Sequence, residues 1–593
     1  MSKKFIVFLF LALICVFAVS CGDGTKKVVD PAGDNEKSEE TDEDQENTEP
    51  SDAENSEEEN DGTETDDSGQ EGIEGDDAES QDSEEFADEE SWHEEATEVE
   101  PTGDSEMKTE ALIVTTNKFA EVFGKFASFH TVTGISTKVV TVEDICGNAV
   151  CDDDDVTKDT QTAIKEYVSS MKEGLKYLIL GGDIEDIPSR MVHDEFSIAL
   201  IADYEDDFYS DLYYADFSNW DLNGNGIYAE NEDVPGLVAN VAVGRISVST
   251  VEEAELYFTK LVKHHTAFNT AHTKKSLLIA NIATTLDIGD GVPVNAGYYF
   301  ETAGKTASLI PADYSIKRLY TESTPAPSKQ ALSLDNDSEK AAIEEGMNLI
   351  VHSGHGAPWL LTCEQGYDPE RDFDDDMAYA LENETLPFFL SCACEAGQFG
   401  YDKDDSAGEK LMNAPLGGAI VYLGNTTTGL GIAGGSQFID EMLKNMFAFP
   451  SSTIGESYLY AHLTMPQNDT FNPPIPLVNI DIPVVNKDSW RWTKKSIVML
   501  GDPMTVFWRD EFKPFPAEIE PEVEENGEIK TVSFHFTPDL EGAALRILAD
   551  GKLYDVPYVM YETVKINLDK SVKTITVGIK AEDSQYFFKE FDI

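Results

Sequence analysis

The sequence predicts an α/β protein built on a largely parallel sheet, followed by a C-terminal β-sandwich. Three observations carry that expectation. Between Ala111 and Trp508, apolar runs such as Leu112-Ile113-Val114 and Leu349-Ile350-Val351 alternate with segments of helical periodicity. Unbroken apolar strands of this kind belong to sheets covered by helices on both faces. From Pro514 onward the pattern changes to period two, as in Val532-Ser533-Phe534-His535-Phe536, which marks strands with one buried face. Ahead of both, the chain up to about Thr109 is too acidic to build a core.

The N-terminus reads as an export signal. Met1-Ser2-Lys3-Lys4 supplies positive charge, and the apolar stretch from Phe5 to Val19 is short for a membrane span. Ala18-Val19-Ser20-Cys21-Gly22 then resembles the lipobox of bacterial lipoproteins, with Ala18 where Leu is commoner. That resemblance implies cleavage before Cys21, lipidation of its thiol and a membrane partner. The plainer alternative is ordinary signal cleavage with Cys21 incidental. Between Gly22 and Glu106 there are 37 acidic residues against three Lys and no Arg, so this stretch alone carries −34 of the formal −73. With only Phe86 and Trp92 as aromatic residues, it cannot offset its chain entropy and is expected to be a disordered, self-repelling spacer. The acidity of the whole chain argues against a nucleic-acid partner.

Order is expected from Thr109. Ala111 to Thr115 reads as a strand, and Asn117 as the cap of a helix whose Phe119, Val122, Phe123 and Phe126 share one face. Lys138 to Val142 is a second strand, Thr160 to Met171 a helix and Tyr177 to Asp183 a third strand. A looser acidic and aromatic stretch precedes a strand at Val241 to Arg245 and a helix from Val251 to about His265. A second block begins at Lys274, with strands at Ser276 to Asn281 and Ser315 to Leu319 flanking a helix over Tyr298 to Ser308. Strands at Met347 to Val351 and Leu386 to Ser391, a helix near Ala407 to Met412, and strands at Gly418 to Leu423 and Ile497 to Gly501 complete it. Four alternating strands at Val532 to Phe536, Ala544 to Leu548, Val564 to Leu568 and Ile575 to Ile579 form the C-terminal module.

Two chemistry-bearing residues follow successive strands of the second block. His355 stands in Ser353-Gly354-His355-Gly356, and Cys394 in Cys392-Ala393-Cys394-Glu395-Ala396-Gly397. Chemistry in such sheets sits beyond the carboxyl ends of the strands. A thiol and an imidazole delivered there form a nucleophile–base pair, with backbone N–H groups of Gly356 and Cys394 as candidate oxyanion donors. Separately, each residue is as well explained as core or loop. Of the seven Cys, Cys146 and Cys151 flank a short loop that an exported chain can close as a disulfide. Cys363, Cys392 and Cys394 are then unassigned thiols, and Cys392 is a competing nucleophile two residues before Cys394.

Ser353-Gly354-His355-Gly356-Ala357-Pro358-Trp359, Ala393-Cys394-Glu395-Ala396-Gly397-Gln398-Phe399 and the Gly417-Gly418-Ala419-Ile420 strand resemble the gingipain family of cysteine peptidases. Ile179-Leu180-Gly181-Gly182-Asp183, Ile187-Pro188, Asp211-Leu212-Tyr213-Tyr214, Val243-Gly244-Arg245-Ile246 and Leu500-Gly501-Asp502-Pro503 extend the match from Ala111 to Trp508. The resemblance implies a caspase-like α/β fold in two subdomains, an immunoglobulin-like domain behind it, Cys394 as nucleophile, His355 as base and protein or peptide substrates. Where family members carry an acidic residue to orient the His, this chain has Ala283-Thr284-Thr285, leaving Asp287 or Asp290 as substitutes. A fold that kept its shape but lost activity, acting as a surface binding protein, is the rival expectation. His352 is expected to be structural.

Asp221-Leu222-Asn223-Gly224-Asn225-Gly226-Ile227-Tyr228-Ala229-Glu230-Asn231-Glu232 matches a calcium-loop pattern. Asp221, Asn223, Asn225 and Glu232 would give side-chain oxygens and Ile227 its carbonyl, with an acidic surface turn as the alternative. The expected organisation is a lipoprotein signal peptide at 1–21, an acidic disordered linker at 22–108 and an N-terminal α/β subdomain with the calcium loop at 109–272. A catalytic α/β subdomain at 273–512 and a β-sandwich at 513–593 follow.

Overall fold

The computed structural model describes residues 92–593 apart from 104–107, 149–150, 199–201, 234, 282–284, 288–292, 296–304, 322–330, 364–370, 432–433, 450–452, 468–469, 472–483 and 510–511. The export signal with Cys21, and the acidic stretch as far as residue 91, lie outside the described residues. Among those described, no helix is long and apolar enough to cross a membrane.

The apolar runs of both α/β blocks become one eleven-stranded sheet. Its strands, in chain order, are β1 Ala111–Thr115, β2 Thr137–Thr141, β3 Tyr177–Gly181, β4 Ala242–Ile246, β5 Lys275–Ala280, β6 Ser315–Tyr320, β7 Leu332–Ser333, β8 Leu349–Ser353, β9 Phe388–Ser391, β10 Val421–Asn425 and β11 Ile497–Gly501. They lie in the order β7-β6-β5-β8-β9-β10-β11-β4-β3-β1-β2. β8 is parallel to both β5 and β9, β9 is parallel to β10, and β11 reverses against β10. β11 meets β4 at Leu500 and Arg245. The last strand of the second block thus joins the sheet to the first block, and one buried apolar cluster runs through both. Every residue of β1, β3, β4, β8, β9, β10 and β11 is buried, as strands covered on both faces require.

Helix α1, Ala120–Thr133, packs Phe123, Phe126 and Phe129 into that core. Its N-cap is Phe119, without a side-chain cap bond, rather than Asn117, whose N–H instead donates to the Glu143 carboxylate. Phe119 is buried beside Gly182, so packing fixes this helix start where capping chemistry does not. Helix α2, Val251–Thr266, opens with a capping box between Thr250 and Glu253. Of the helix expected over Tyr298 to Ser308, only the last turn, from Lys305, is among the described residues.

The C-terminal region forms two four-stranded sheets around its own cluster, which includes Val532, Phe534, Leu545, Ile547, Val564, Ile566, Val577 and Ile579. Its alternating burial, inward at every second residue of Ala544–Ala549, is the period-two pattern of the sequence. Four of the eight strands were not expected: Glu522–Asn526, Lys552–Val556 and Phe587–Asp592 fill out the module, and the fourth comes from outside it. His93–Val99, from the acidic stretch assigned to the spacer, pairs parallel with Tyr561–Asp569. Trp92 and Val99 pack on the C-terminal cluster, so apolar residues at both ends of the segment offset the cost of ordering it. The described strand therefore lies inside the 22–108 linker expected to be disordered.

Candidate active site

Four adjacent strands, β5, β8, β9 and β10, deliver their carboxyl ends to one edge. There stand Asn281, His352 to His355, Ser391 to Cys394, and Asn425 to Gly429. His355 opens a short strand, His355–Ala357, paired with Leu360–Cys363. Gly356 brings it against the Cys394 turn: a Cβ on Gly356 would lie 2.9 Å from both the Ala393 Cβ and the Cys394 carbonyl oxygen. Gly354 is equally constrained, since its Cβ would fall 2.0 Å from Asn281 Oδ1 and 2.4 Å from His352 Nε2. The Gly-His-Gly spacing thus leaves room for a hydrogen bond on one side of His355 and for the thiol-bearing backbone on the other.

After Ser391 the chain leaves the strand, so the two thiols have different surroundings. Cys394 Sγ lies 3.7 Å from the Gly429 carbonyl oxygen. Cys392 is buried beneath helix α5, Gly435–Ala448 (labelled in chain order after α3, Asn336–Glu344, and α4, Ala407–Asn413), with Ser436 Oγ 3.8 Å from its Sγ. Burial pushes the Cys392 thiol up, which disfavours the thiolate. Regular strand geometry would have aimed both thiols one way; the break after Ser391 removes that equivalence.

Glu395, next to Cys394, has φ 56°, an uncommon conformation for a residue with a side chain. It is the centre of a three-residue turn in which Ala396 N–H donates to the Cys394 carbonyl at 2.6 Å. Glu395 N–H donates to the Thr427 carbonyl at 2.9 Å, and Gly397 N–H to the Asn425 carbonyl at 3.1 Å. On the other side of the thiol, Ala393 N–H donates to Ser391 Oγ at 3.1 Å and Asn425 Nδ2 to the Ala393 carbonyl at 2.8 Å. His352 is caged between Ser391 Oγ and Asn281 Oδ1, each at 3.0 Å, and burial pushes its imidazole down to about 3. Both of its ring nitrogens are thus engaged by side chains other than the thiols.

The remaining motif residues converge one layer back. Arg245 forms a buried two-pronged ion pair with Asp211, at 2.8 and 2.9 Å. It also donates to the carbonyls of Gly182 and Ile187, and its guanidinium covers the Phe399 ring beyond the Cys394 turn at 4.4 Å. Helix α6, Ser489–Ser496, supports the Thr426–Gly429 loop through Trp492 Nε1, which donates to the Thr428 carbonyl at 2.8 Å.

Asp287 ends a short strand, Thr285–Asp287, paired with Pro293–Asn295; its side chain, and all of Asp290, lie outside the described residues. Cys146 and Cys151 are joined as a disulfide. In the Asp221 loop, the Asp221 carboxylate accepts from the N–H groups of Gly224, Asn225 and Gly226. The Asn223 and Asn225 side chains meet Glu230 at 2.7 and 2.5 Å, whereas Glu232 is exposed. Asp233, also absent from the sequence assignment, is fully buried; one oxygen accepts from Leu222 N–H and the other has no partner. Among the described residues no three His, Cys, Asp or Glu converge as a metal cluster. A cation here would therefore rest on amide and carbonyl oxygens beside Asp221, and the unpartnered Asp233 oxygen fits that role.

The model of peptidase family C25 matches residues 104–508. The crystal structure of gingipain R, an Arg-specific cysteine proteinase, is similar at a TM-score of 0.52 and 17% identity, over 84% of this chain and 99% of that one. The complex of pro- and mature domains of RgpB from Porphyromonas gingivalis gives 0.51 at 17% identity, over 82% and 99%. A further solved protease gives 0.50 at 14% identity, over 82% and 98%. Among curated proteins none matches this sequence. The structural likeness carries the fold, a gingipain-like α/β architecture on a large mixed sheet. With the family model spanning well over half of the sequence, the chain belongs to peptidase family C25.

Proposed function

We propose that this protein is a cysteine endopeptidase in which Cys394 is the nucleophile and His355 the base. The observation that carries this reading is the close packing of Gly356 on the Cys394 turn, which puts the two residues on facing backbones. In the reaction, His355 takes the thiol proton and the Cys394 sulfur attacks the peptide carbonyl carbon. N–H groups of Gly356 and Cys394 receive the developing oxyanion. The C–N bond then breaks as His355 returns the proton to the leaving amine, and water, activated by the same imidazole, hydrolyses the thioester. Asp287 is the proposed orienting carboxylate. Substrates are proteins or peptides. A peptide-library cleavage assay on the full chain tests the reading: Cys394→Ala and His355→Ala should both be inactive while folded. Undiminished turnover by Cys394→Ala would overturn it, and a wild type without cleavage would favour the binding-protein rival.

The proposal extends to place and metal. Lipidation at Cys21 would hold the enzyme at a bacterial envelope on the acidic spacer, because the chains on a lipoprotein together bind more firmly than one alone. Mass spectrometry showing an unmodified N-terminus at another residue would remove the anchor. Calcium is the proposed ligand of the Asp221 loop, held by Asp221, Asn223, Asn225 and the Ile227 carbonyl, with Glu232 as the template's fifth and closing donor. Its role there is to fix the loop.

A further inference from the structure

Both backbone groups of Ala393, the residue before the proposed nucleophile, are tied down by side chains, the N–H by Ser391 at the end of its own strand and the carbonyl by Asn425 of the next strand. We infer that His352 and Ser391 are positioning residues: the chain Asn281–His352–Ser391 fixes the Ala393 amide and so aims the Cys394 thiol. The inference deepens the peptidase reading and rests on it.

The hydrogen bonds have one consistent direction. Asn281 Oδ1 can only accept, so His352 Nε2 carries the proton of that 3.0 Å bond. His352 Nδ1 is then the acceptor and Ser391 Oγ donates to it at 3.0 Å. With its proton committed, the Ser391 hydroxyl is the acceptor that Ala393 N–H requires at 3.1 Å. From the opposite side Asn425 Nδ2 holds the Ala393 carbonyl, and Asn425 Oδ1 accepts from Ser496 Oγ at 3.1 Å. Asn281, His352, Ser391 and Asn425 are all at most 2% exposed, so water cannot take the place of a deleted partner. Burial keeps His352 neutral at physiological pH, which preserves the direction of the chain. The turn that follows, with Glu395 at φ 56°, is uphill for an L-residue and needs such anchoring.

A loss of aim costs turnover more than binding, because an error of about 1 Å at the reacting atom can cost on the order of 100-fold in rate. The test uses the full chain, a fluorogenic peptide that the wild type cleaves, and iodoacetamide alkylation of Cys394 mapped by mass spectrometry. Ser391→Ala should lower kcat by roughly 10-fold or more with KM within about twofold, and should change the alkylation rate of Cys394. His352→Asn keeps an acceptor near the Nδ1 position and should retain more kcat than His352→Leu. Thermal unfolding run alongside identifies folded variants, and Ser391→Ala decides if His352→Leu does not fold. Wild-type kcat together with wild-type alkylation in folded Ser391→Ala overturns the inference. If Cys394→Ala itself keeps activity, the peptidase reading fails instead, and the alkylation rates still report whether Ser391 aims the thiol.

Discussion

Two polar networks support the same turn in opposite ways. The Arg245 network is ionic: its guanidinium and the Asp211 carboxylate, both almost fully buried, pair with each other, and the guanidinium also donates to two backbone carbonyls. A second charged cluster joins Asp194 to Arg491 at 2.6 Å and to Lys495 at 2.7 Å, and its helix reaches the site loop through neutral groups, the Trp492 indole and the Ser496 carbonyl. Directly beneath Ala393 the network is neutral, made of two amides, an imidazole and hydroxyls. The ion pairs lie away from the thiol and the side chains that bind the Ala393 backbone are uncharged, while the Asp206 carboxylate accepts from the Thr427 hydroxyl in the loop behind it. A neutral support does not compete with the charge that must move between Cys394 and His355 during acyl transfer.

The comparison breaks first at Arg245. Arg245→Met leaves the Asp211 carboxylate buried without its partner, which typically costs about 3–5 kcal/mol. It also removes the donors to Gly182 and Ile187 and the contact over Phe399. Urea denaturation should show that loss, and adding Asp211→Leu should recover much of it, while folded Arg245→Met keeps near wild-type kcat. Ser391→Ala should do the reverse, costing about 2 kcal/mol for two neutral hydrogen bonds and most of the turnover. Equal stability losses in the two variants would erase the distinction.

How legible these networks were in the sequence follows from chain distance. The strands were readable because strands buried on both faces are unbroken apolar runs, and His355 and Cys394 because each follows such a run. The Asn281, Ser391 and Asn425 contributions were not, since each is an ordinary polar residue at a strand end and only the strand order unites them. The family motifs around Gly182, Asp211 and Arg245 were visible as separate short matches; their reason, a single buried ion pair with its carbonyl partners, needs the fold. The His93–Val99 strand was hidden by its composition, for all seven of its residues are at least partly water-facing, as an edge requires, and read as spacer.

A second prediction sharpens the neutral side. Glu339, on α3, is fully buried under the strand paired with that of His355; its Oε2 accepts from Thr362 Oγ at 2.7 Å and its Oε1 has no partner. Burial pushes its carboxyl up to about 8. Between the ordinary carboxyl value near 4.3 and about 8, the folded state keeps a proton that the unfolded state has released. Its contribution to stability is therefore present at low pH and falls as pH rises through that window, by at most about 1.4 kcal/mol per pH unit. Glu339→Gln copies the neutral form. Its stability relative to wild type should match near pH 5 and pull ahead steadily to pH 8 in parallel denaturation series. A difference that does not change with pH would mean that Glu339 is ionised in the fold.

The smallest effect is expected where charge faces solvent. The Asp221 loop is a further polar network, but an exposed one, so its internal contacts are screened and worth little on their own. A ligand bound only by the native state would add stability by mass action, about 2.7 kcal/mol at a hundredfold excess over Kd. Calcium should accordingly raise the unfolding midpoint of the full chain, and Asp221→Ala should remove the rise because Asp221 organises three successive loop N–H groups. The sequence template assigns the closing carboxylate to Glu232, yet Glu230 meets the Asn223 and Asn225 side chains and Asp233 carries the buried free oxygen. Glu230→Gln should therefore weaken the calcium response more than Glu232→Gln. The opposite ranking would return the ligand to Glu232, and no shift at millimolar calcium in calorimetry would leave the loop an acidic turn held by its own backbone.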